Sequence, residues 1–226
     1  MNNIRAAVIG AGYLGRFHAQ KYAVAPGCTL VGVVDPRHEV REAVAAEMGT
    51  RGFDDHRELL AKVDAVSVDT TTPAHYAIAR DFLEAGAHVL VEKHITETVE
   101  QAQSLIEIAA AAGRILQVGH LERFNPAIVA AEARLRGARF IECQRLAPFK
   151  ERGTDVNVVL DLMIHDIDIV QSIVGRPVES IEAIGTPVFS GAVDIANARL
   201  RFEGGCVANV TASRVSLKTE RKMRVF

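Results

Sequence analysis

Short apolar runs and longer amphipathic stretches alternate through the first half of the chain. Ala6–Ile9, Leu30–Val34, Ala65–Asp69, His88–Lys93 and Ile115–Val118 have the length and composition of strands buried on both faces. Between them lie helical patterns: one after Gly15, one over Glu39–Met48, a single turn at Glu58–Lys62, then Ala74–Ala85 and Thr98–Ala112. Gly49, Gly86 and Gly113 stand where helices of this kind stop. Phe53–Asp55 reads as a short connector. Regular strand–helix alternation predicts a doubly wound parallel sheet, an α/β fold. The pattern changes after Leu121. A helix over Ala127–Leu135 precedes a long alternating strand, Ala138–Phe149, and a polar loop, Lys150–Asn157. A helix over Val158–Val174 follows, ended by Gly175 and Pro177. Val178–Val188, Val193–Phe202 and Cys206–Val215 then read as successive strands, the last two joined by a Gly204-Gly205 hairpin. This predicts a second, α+β domain with a largely antiparallel open sheet. The expected domains are residues 1–121 and 122–226.

The first strand runs into Gly10-Ala11-Gly12-Tyr13-Leu14-Gly15, and Asp35 stands twenty residues beyond Gly15 at the end of the second strand. A glycine triplet of this spacing is weak evidence alone. Inside a βαβ unit with an acid at this distance it is the dinucleotide-binding fingerprint of a Rossmann domain. Gly10 permits a sharp turn, Gly12 lets a pyrophosphate approach the backbone, and Gly15 lets the helix pack closely. The helix N-terminus faces the phosphates. Asp35 can accept hydrogen bonds from both ribose hydroxyls and would repel a 2′-phosphate, so NAD is expected over NADP. Arg37, two residues on, weakens that preference.

Further candidates stand at strand ends, where open α/β sheets bind ligands. Thr71, Pro73 and His75 follow the third strand and are candidate cofactor neighbours, with helix capping as the alternative for the threonines. Glu92-Lys93 ends the fourth strand. In the second domain Asp161, His165 and Asp168 fall at i, i+4 and i+7, on one helix face. A carboxylate one turn before a histidine can orient the imidazole for proton transfer, although the same spacing also describes an ordinary solvated face. No third ligand accompanies them, so no metal is expected.

Net charge is −2, which gives no reason to expect nucleic acid as a partner. The three cysteines, Cys28, Cys143 and Cys206, fit neither a disulfide framework nor a zinc site and read as buried core residues of a cytoplasmic protein. No uncharged apolar run has membrane-spanning length, and the N-terminus goes straight into a strand, so neither a membrane nor a signal peptide is expected.

Four features together resemble one family. These are Gly10–Gly15 with Asp35, Thr72-Pro73 with His75, Glu92-Lys93, and Asp161-Leu162-Met163-Ile164-His165 with Asp168. The combination is similar to the Gfo/Idh/MocA NAD(P)-dependent oxidoreductases. The resemblance implies hydride transfer between a sugar or polyol carbon and nicotinamide. It implies Lys93 as the catalytic lysine and Asp161 and His165 as the partner pair. It also implies a homo-oligomer, dimer or tetramer, built through the second sheet. Cofactor contacts are expected from Gly10 to Gly15, Asp35, Arg37, Thr71, Pro73, His75, Glu92 and Lys93. Substrate contacts are expected from Lys93, Arg123, Asn125, Asp161 and His165, and Arg145 and Arg152 are further candidates for a diphosphate. The stretches Val118–Pro126 and Val159–Asp168 resemble bacterial members acting on nucleotide sugars. That implies oxidation of the 3-hydroxyl of UDP-N-acetylglucosamine on the way to a 3-amino sugar of lipid A. A free-sugar or inositol dehydrogenase, or a non-catalytic NAD sensor, are the alternatives.

Two departures from the family pattern stand out. His94 replaces the usual proline after the lysine, and the bond before it is expected to be trans, because cis non-proline bonds cost roughly 2.5–4 kcal/mol. The chain also ends at Phe226 inside what reads as a continuing sheet, which suggests a fragment or truncated product with an open sheet edge.

Overall fold

The computed structural model describes residues 3–150 and 156–226. The chain divides into two compact units, Met1–Gly119 and His120–Phe226.

In the first unit, strands β1 (Ile4–Ile9), β2 (Cys28–Val34), β3 (Arg51–Phe53), β4 (Ala65–Val68), β5 (His88–Val91) and β6 (Leu116–Val118) form one sheet in the order β3-β2-β1-β4-β5-β6. Every pairing is parallel. The helices are α1 (Tyr13–Val24), α2 (His38–Met48), α3 (Thr72–Glu84) and α4 (Val99–Ala112). The central strand explains the layering. Val8 packs with Ala19 of α1 and Val44 of α2 on one face. Ala7 and Ile9 pack with Ile78 and Phe82 of α3 and Leu105 of α4 on the other. Side chains alternate across a strand, so a strand covered on both faces must be apolar throughout, and Ala6–Ile9 is. The strand order reverses between β1 and β4, which places the crevice for a ligand at their carboxyl ends. Gly49 and Gly113 close α2 and α4 in the left-handed conformation.

In the second unit, α5 (Pro126–Leu135) and α6 (Ile164–Val174) accompany a sheet of β7 (Phe140–Leu146), β8 (Val178–Thr186), β9 (Ile195–Phe202), β10 (Val207–Ser213) and β11 (Glu220–Val225). The order is β11-β7-β10-β9-β8, with β7 and β10 parallel and the remaining pairs antiparallel. Met163 and Val170 pack against Ile141, Cys143, Phe202 and Val210 to make the core. Burial pushes the Cys143 thiol up to about 12, helped by the charge of Asp166. Gly204 and Gly205, both at positive φ, turn β9 into β10 as the hairpin signal requires.

Three local features differ from the sequence pattern. Arg51–Phe53 is a strand paired to β2, not part of a connector. Glu220–Val225, a charged stretch carrying no apolar run, pairs with β7 as an edge strand. The helix expected from Val158 begins with a π-turn, Val159–Met163, before α6. Among the described residues no helix is long and apolar enough to cross a membrane.

Candidate active site

Gly10 stands at φ +99°, and a Cβ there would lie 2.5 Å from the Asp69 carbonyl oxygen. At Gly15 a Cβ would lie 1.8 Å from the carbonyl oxygen of Gly10. Both positions therefore exclude any side chain, since neither obstacle is a flexible group. Gly12 is different: its Cβ would meet only the Arg37 guanidinium, at 3.8 Å. The space above it is open, as a pyrophosphate needs. Gly12 also caps α1 without a side-chain hydrogen bond, leaving first-turn N–H groups for an anion. Tyr13 and Leu14 are exposed beside this opening, and Tyr13 meets Phe17 edge-on. Gly15→Ala is expected to lower the melting temperature and abolish NAD binding, as calorimetry would read.

Asp35 is 3% exposed at the end of β2. Its Oδ2 accepts the Ala11 N–H at 3.0 Å, which ties the acid to the glycine turn. Its Oδ1 accepts the Arg37 N–H and Nε–H, both at 2.9 Å, and Arg37 Nη2 reaches Oδ2 at 2.9 Å. Burial pushes the Asp35 carboxyl up, but the Arg37 and Ala11 hydrogen bonds outweigh it and hold the pKa below the ordinary value. The acid is thus ionised at the end of β2, where a ribose acceptor is needed, under an arginine whose own side chain is 63% exposed. The cradle fits a dinucleotide on the open space at Gly12, the uncapped helix end and the charged Asp35.

Thr71 caps α3 by position without a side-chain bond, and Pro73 lies in its first turn. His75 is 1% exposed. Its Nδ1 lies 2.7 Å from the His94 carbonyl oxygen and its Nε2 3.1 Å from that of Thr70. The ring therefore straps the turn after β4 to the turn after β5 rather than facing solvent. Glu92 is buried, and its Oε2 accepts the Lys93 N–H at 3.3 Å. The Lys93–His94 bond is cis, which overturns the expectation of a trans bond. The hold of His75 on the His94 carbonyl is one contact that accompanies this turn. Lys93 is half-buried.

In the second unit, Asn157 caps the helix start, its Oδ1 accepting the Leu160 N–H at 3.0 Å. Asp161 lies in the π-turn and His165 in the first turn of α6, both half-buried. Asp168 does not share their half-buried setting. The π-turn changes the phase of Asp161 against His165 and leaves His165 and Asp168 one α-turn apart, so the three do not form the regular face that the spacing suggested. Asp168 is buried, and Arg123 binds it through two hydrogen bonds, Nε to Oδ2 at 3.1 Å and Nη2 to Oδ1. Arg145 is 5% exposed and holds Asp166 in a two-pronged bond, Nε to Oδ2 at 3.0 Å and Nη2 to Oδ1 at 2.8 Å. Asn125 accepts the Ala127 N–H at 3.0 Å as the cap of α5. Arg145 is therefore committed to a partner that its sequence position does not reveal. Arg152 lies outside the described residues. Sequence reasoning also passed over His18, Ser67 and Asp69, which cluster with Glu92 beneath the glycine turn.

Residues 4–120 match the oxidoreductase family described as having an NAD-binding Rossmann fold, and residues 127–226 match the GFO/IDH/MocA C-terminal domain. The whole chain is 42% identical to 72% of the UDP-N-acetylglucosamine 3-dehydrogenase of Acidithiobacillus ferrooxidans. It superposes on a solved structure of that enzyme with a TM-score of 0.93, over 75% of the solved chain. Over 95% of its length it is 31% identical to the scyllo-inositol 2-dehydrogenase (NAD(+)) of Bacillus subtilis, covering 68% of that protein. The chain belongs to the GFO/IDH/MocA family of NAD(P)-dependent oxidoreductases, enzymes that act on CH–OH groups.

Proposed function

We propose that this protein oxidises a secondary hydroxyl of a nucleotide sugar with NAD, and that the sugar is UDP-N-acetylglucosamine, oxidised at its 3-hydroxyl. The observation that carries the reading is identity of 42% along the whole chain to an enzyme of that name. Bound NAD supplies the hydride acceptor. Gly10, Ala11, Gly12 and the first turn of α1 hold its pyrophosphate, and Asp35 its adenosine ribose. A secondary alcohol that loses hydride from carbon must lose its hydroxyl proton in the same event. Lys93 donates a hydrogen bond to that oxygen and stabilises the charge that develops there. His165 takes the proton, which passes to solvent, and Asp161 orients the ring. The product ketone is the kind of group that transamination would convert to a 3-amino sugar.

The test is to incubate the protein with NAD and UDP-N-acetylglucosamine and follow NADH absorbance, removing the ketone with an aminotransferase and an amino donor. NADH formation supports the reading. No NADH from this sugar, with turnover of scyllo-inositol instead, would replace it by the polyol reading that the Bacillus relative favours.

Cofactor choice gives a separate check. Asp35→Ala removes the ribose acceptor and releases Arg37. Hydrogen bonds to a charged group contribute about 1.5–3 kcal/mol each, so kcat/KM for NAD should fall roughly 10- to 100-fold. The value for NADP should rise, because Arg37 then meets a 2′-phosphate with no competing carboxylate. Steady-state kinetics with both cofactors reads the two changes.

A further inference from the structure

Beneath the glycine-rich turn the first unit buries polar side chains that the chemistry above leaves unused. His18 comes from α1, Ser67 from β4, Asp69 from the position after β4, and Glu92 from the position after β5. The Asp69 side chain is fully buried, and those of Glu92 and His18 are 6% and 11% exposed.

The protons can be placed by accounting. Ser67 Oγ lies 2.7 Å from Asp69 Oδ2. An ionised carboxylate only accepts, so the one hydroxyl proton of Ser67 points to Asp69. His18 Nδ1 lies 2.6 Å from the same Oγ, so Nδ1 carries a proton and donates it. His18 Nε2 then faces Asp69 Oδ1 at 3.4 Å and Glu92 Oε1 at 3.5 Å. Neither of those oxygens has any hydrogen-bond partner among the described residues. A neutral ring would aim its lone pair at two buried carboxylate oxygens. A second ring proton turns that repulsion into attraction to both.

The titratable groups on the α1 and β2 side of the cluster do not supply this charge. Tyr22, one turn along α1, reaches Ser67, and Cys28 at the start of β2 lies beyond Tyr22. Neither carries a positive charge. Burial works against a charge on His18, but Glu92 and Asp69 outweigh it and its pKa is raised. Burial also pushes Asp69 up to about 6, against the pull of His18.

The cluster touches both turns that matter. Asp69 packs on the glycine turn, where its carbonyl leaves Gly10 no room for a Cβ. Glu92 is wedged against Gly119, where a Cβ would lie 2.3 Å from Oε1. Its other oxygen accepts the Lys93 N–H. We propose that His18 is a positioning residue: as an imidazolium shared by Asp69 and Glu92, it fixes the Glu92 carboxylate under the Lys93 N–H and so sets the turn from which Lys93 acts. The proposal rests on the reading of Lys93 as the group that binds the reacting hydroxyl.

Two measurements on the full chain test it. The first needs neither substrate nor variant. Nitrogen-15 spectra of histidine-labelled protein, assigned through the backbone, should show both ring nitrogens of His18 protonated at pH 7.5. A singly protonated His18 there overturns the proposal. So does a stoichiometric divalent metal found by elemental analysis and lost in His18→Gln, since the three ligand atoms are close enough together to hold one. The second measurement is a double-mutant cycle on the oxidation of UDP-N-acetylglucosamine. His18→Gln and Glu92→Gln should each lower kcat about 10- to 100-fold. NAD affinity of His18→Gln, read by calorimetry, should stay within about 3-fold, and the double variant should have a kcat no worse than either single by more than about 3-fold. Losses that multiply, or that appear in NAD affinity rather than kcat, mark a merely structural role and overturn it. Lys93→Ala run beside them separates the two ideas. Loss in Lys93→Ala without loss in His18→Gln sinks the positioning role, whereas unchanged turnover in Lys93→Ala sinks the reading of Lys93 itself.

Discussion

Lys93→Ala should lower kcat for sugar oxidation by about 10²–10⁴-fold, the range for removing a positioned acid–base or charge-stabilising group. On the proposed reading the glycine turn and Asp35 hold the pyrophosphate and the adenosine ribose, away from the reacting hydroxyl, so NAD affinity should change far less than kcat. That split between kcat and affinity is the informative part. A group that acts only when the hydroxyl loses its proton changes the rate and leaves cofactor binding alone. Lys93→Arg should recover little, because a planar guanidinium cannot place one donor where an ammonium does. NADH absorbance gives the rate and calorimetry the affinity. A variant that keeps more than about a tenth of the rate would remove Lys93 from the mechanism.

Arg145→Ala should strongly destabilise the second unit. Arg145 and Asp166 are both almost fully buried, and Glu122 approaches the same guanidinium at 3.8 Å. Burial works against the charge on Arg145, yet Asp166 and Glu122 outweigh it and raise its pKa, so the guanidinium stays charged. Removing the cation leaves a carboxylate in a dry site, which costs roughly 3–5 kcal/mol. Replacing both partners at once, Arg145→Met with Asp166→Leu, should recover most of that loss, because no charge is then stranded. Urea unfolding of the single and double variants measures both. A double variant as unstable as Arg145→Ala would show that packing, not the stranded charge, sets the cost.

Much of the fold was legible because periodicity reports it directly. The βα alternation of the first unit shows in continuous apolar runs, since strands covered on both faces can carry little else. Two strands left no such trace. Arg51–Phe53 is three residues with a glycine in the middle, and only its partner β2 makes it a strand. Glu220–Val225 is an edge strand whose arginines, lysine and glutamate keep that edge charged. The glycine turn and Asp35 were legible for a different reason: close backbone approach admits no other residue at Gly10 and Gly15, so geometry is written as residue type. The ion pairs were not. Arg145 and Arg123 look like ligands for a phosphate until α6 brings Asp166 and Asp168 to them. His18, Asp69 and Glu92 stand far apart in sequence and meet only because β4 lies between β1 and β5 in the sheet.

The π-turn at Val159–Met163 gives this helix a vulnerability that substitution does not probe. A π-turn is an α-helix holding one residue too many, so the loss of a single codon there would let the backbone relax into a regular helix. The chain would keep its hydrogen bonds and lose only the wide turn. The turns on either side would hold their places, because the wide turn is what now absorbs the extra residue. A deletion between Asp161 and His165 would shorten their spacing from four residues to three, while the core around Val170 stayed in place. Descent can therefore re-space this pair without touching either residue, by changing length alone. An alignment that tolerates a gap at this point would score such a chain as intact.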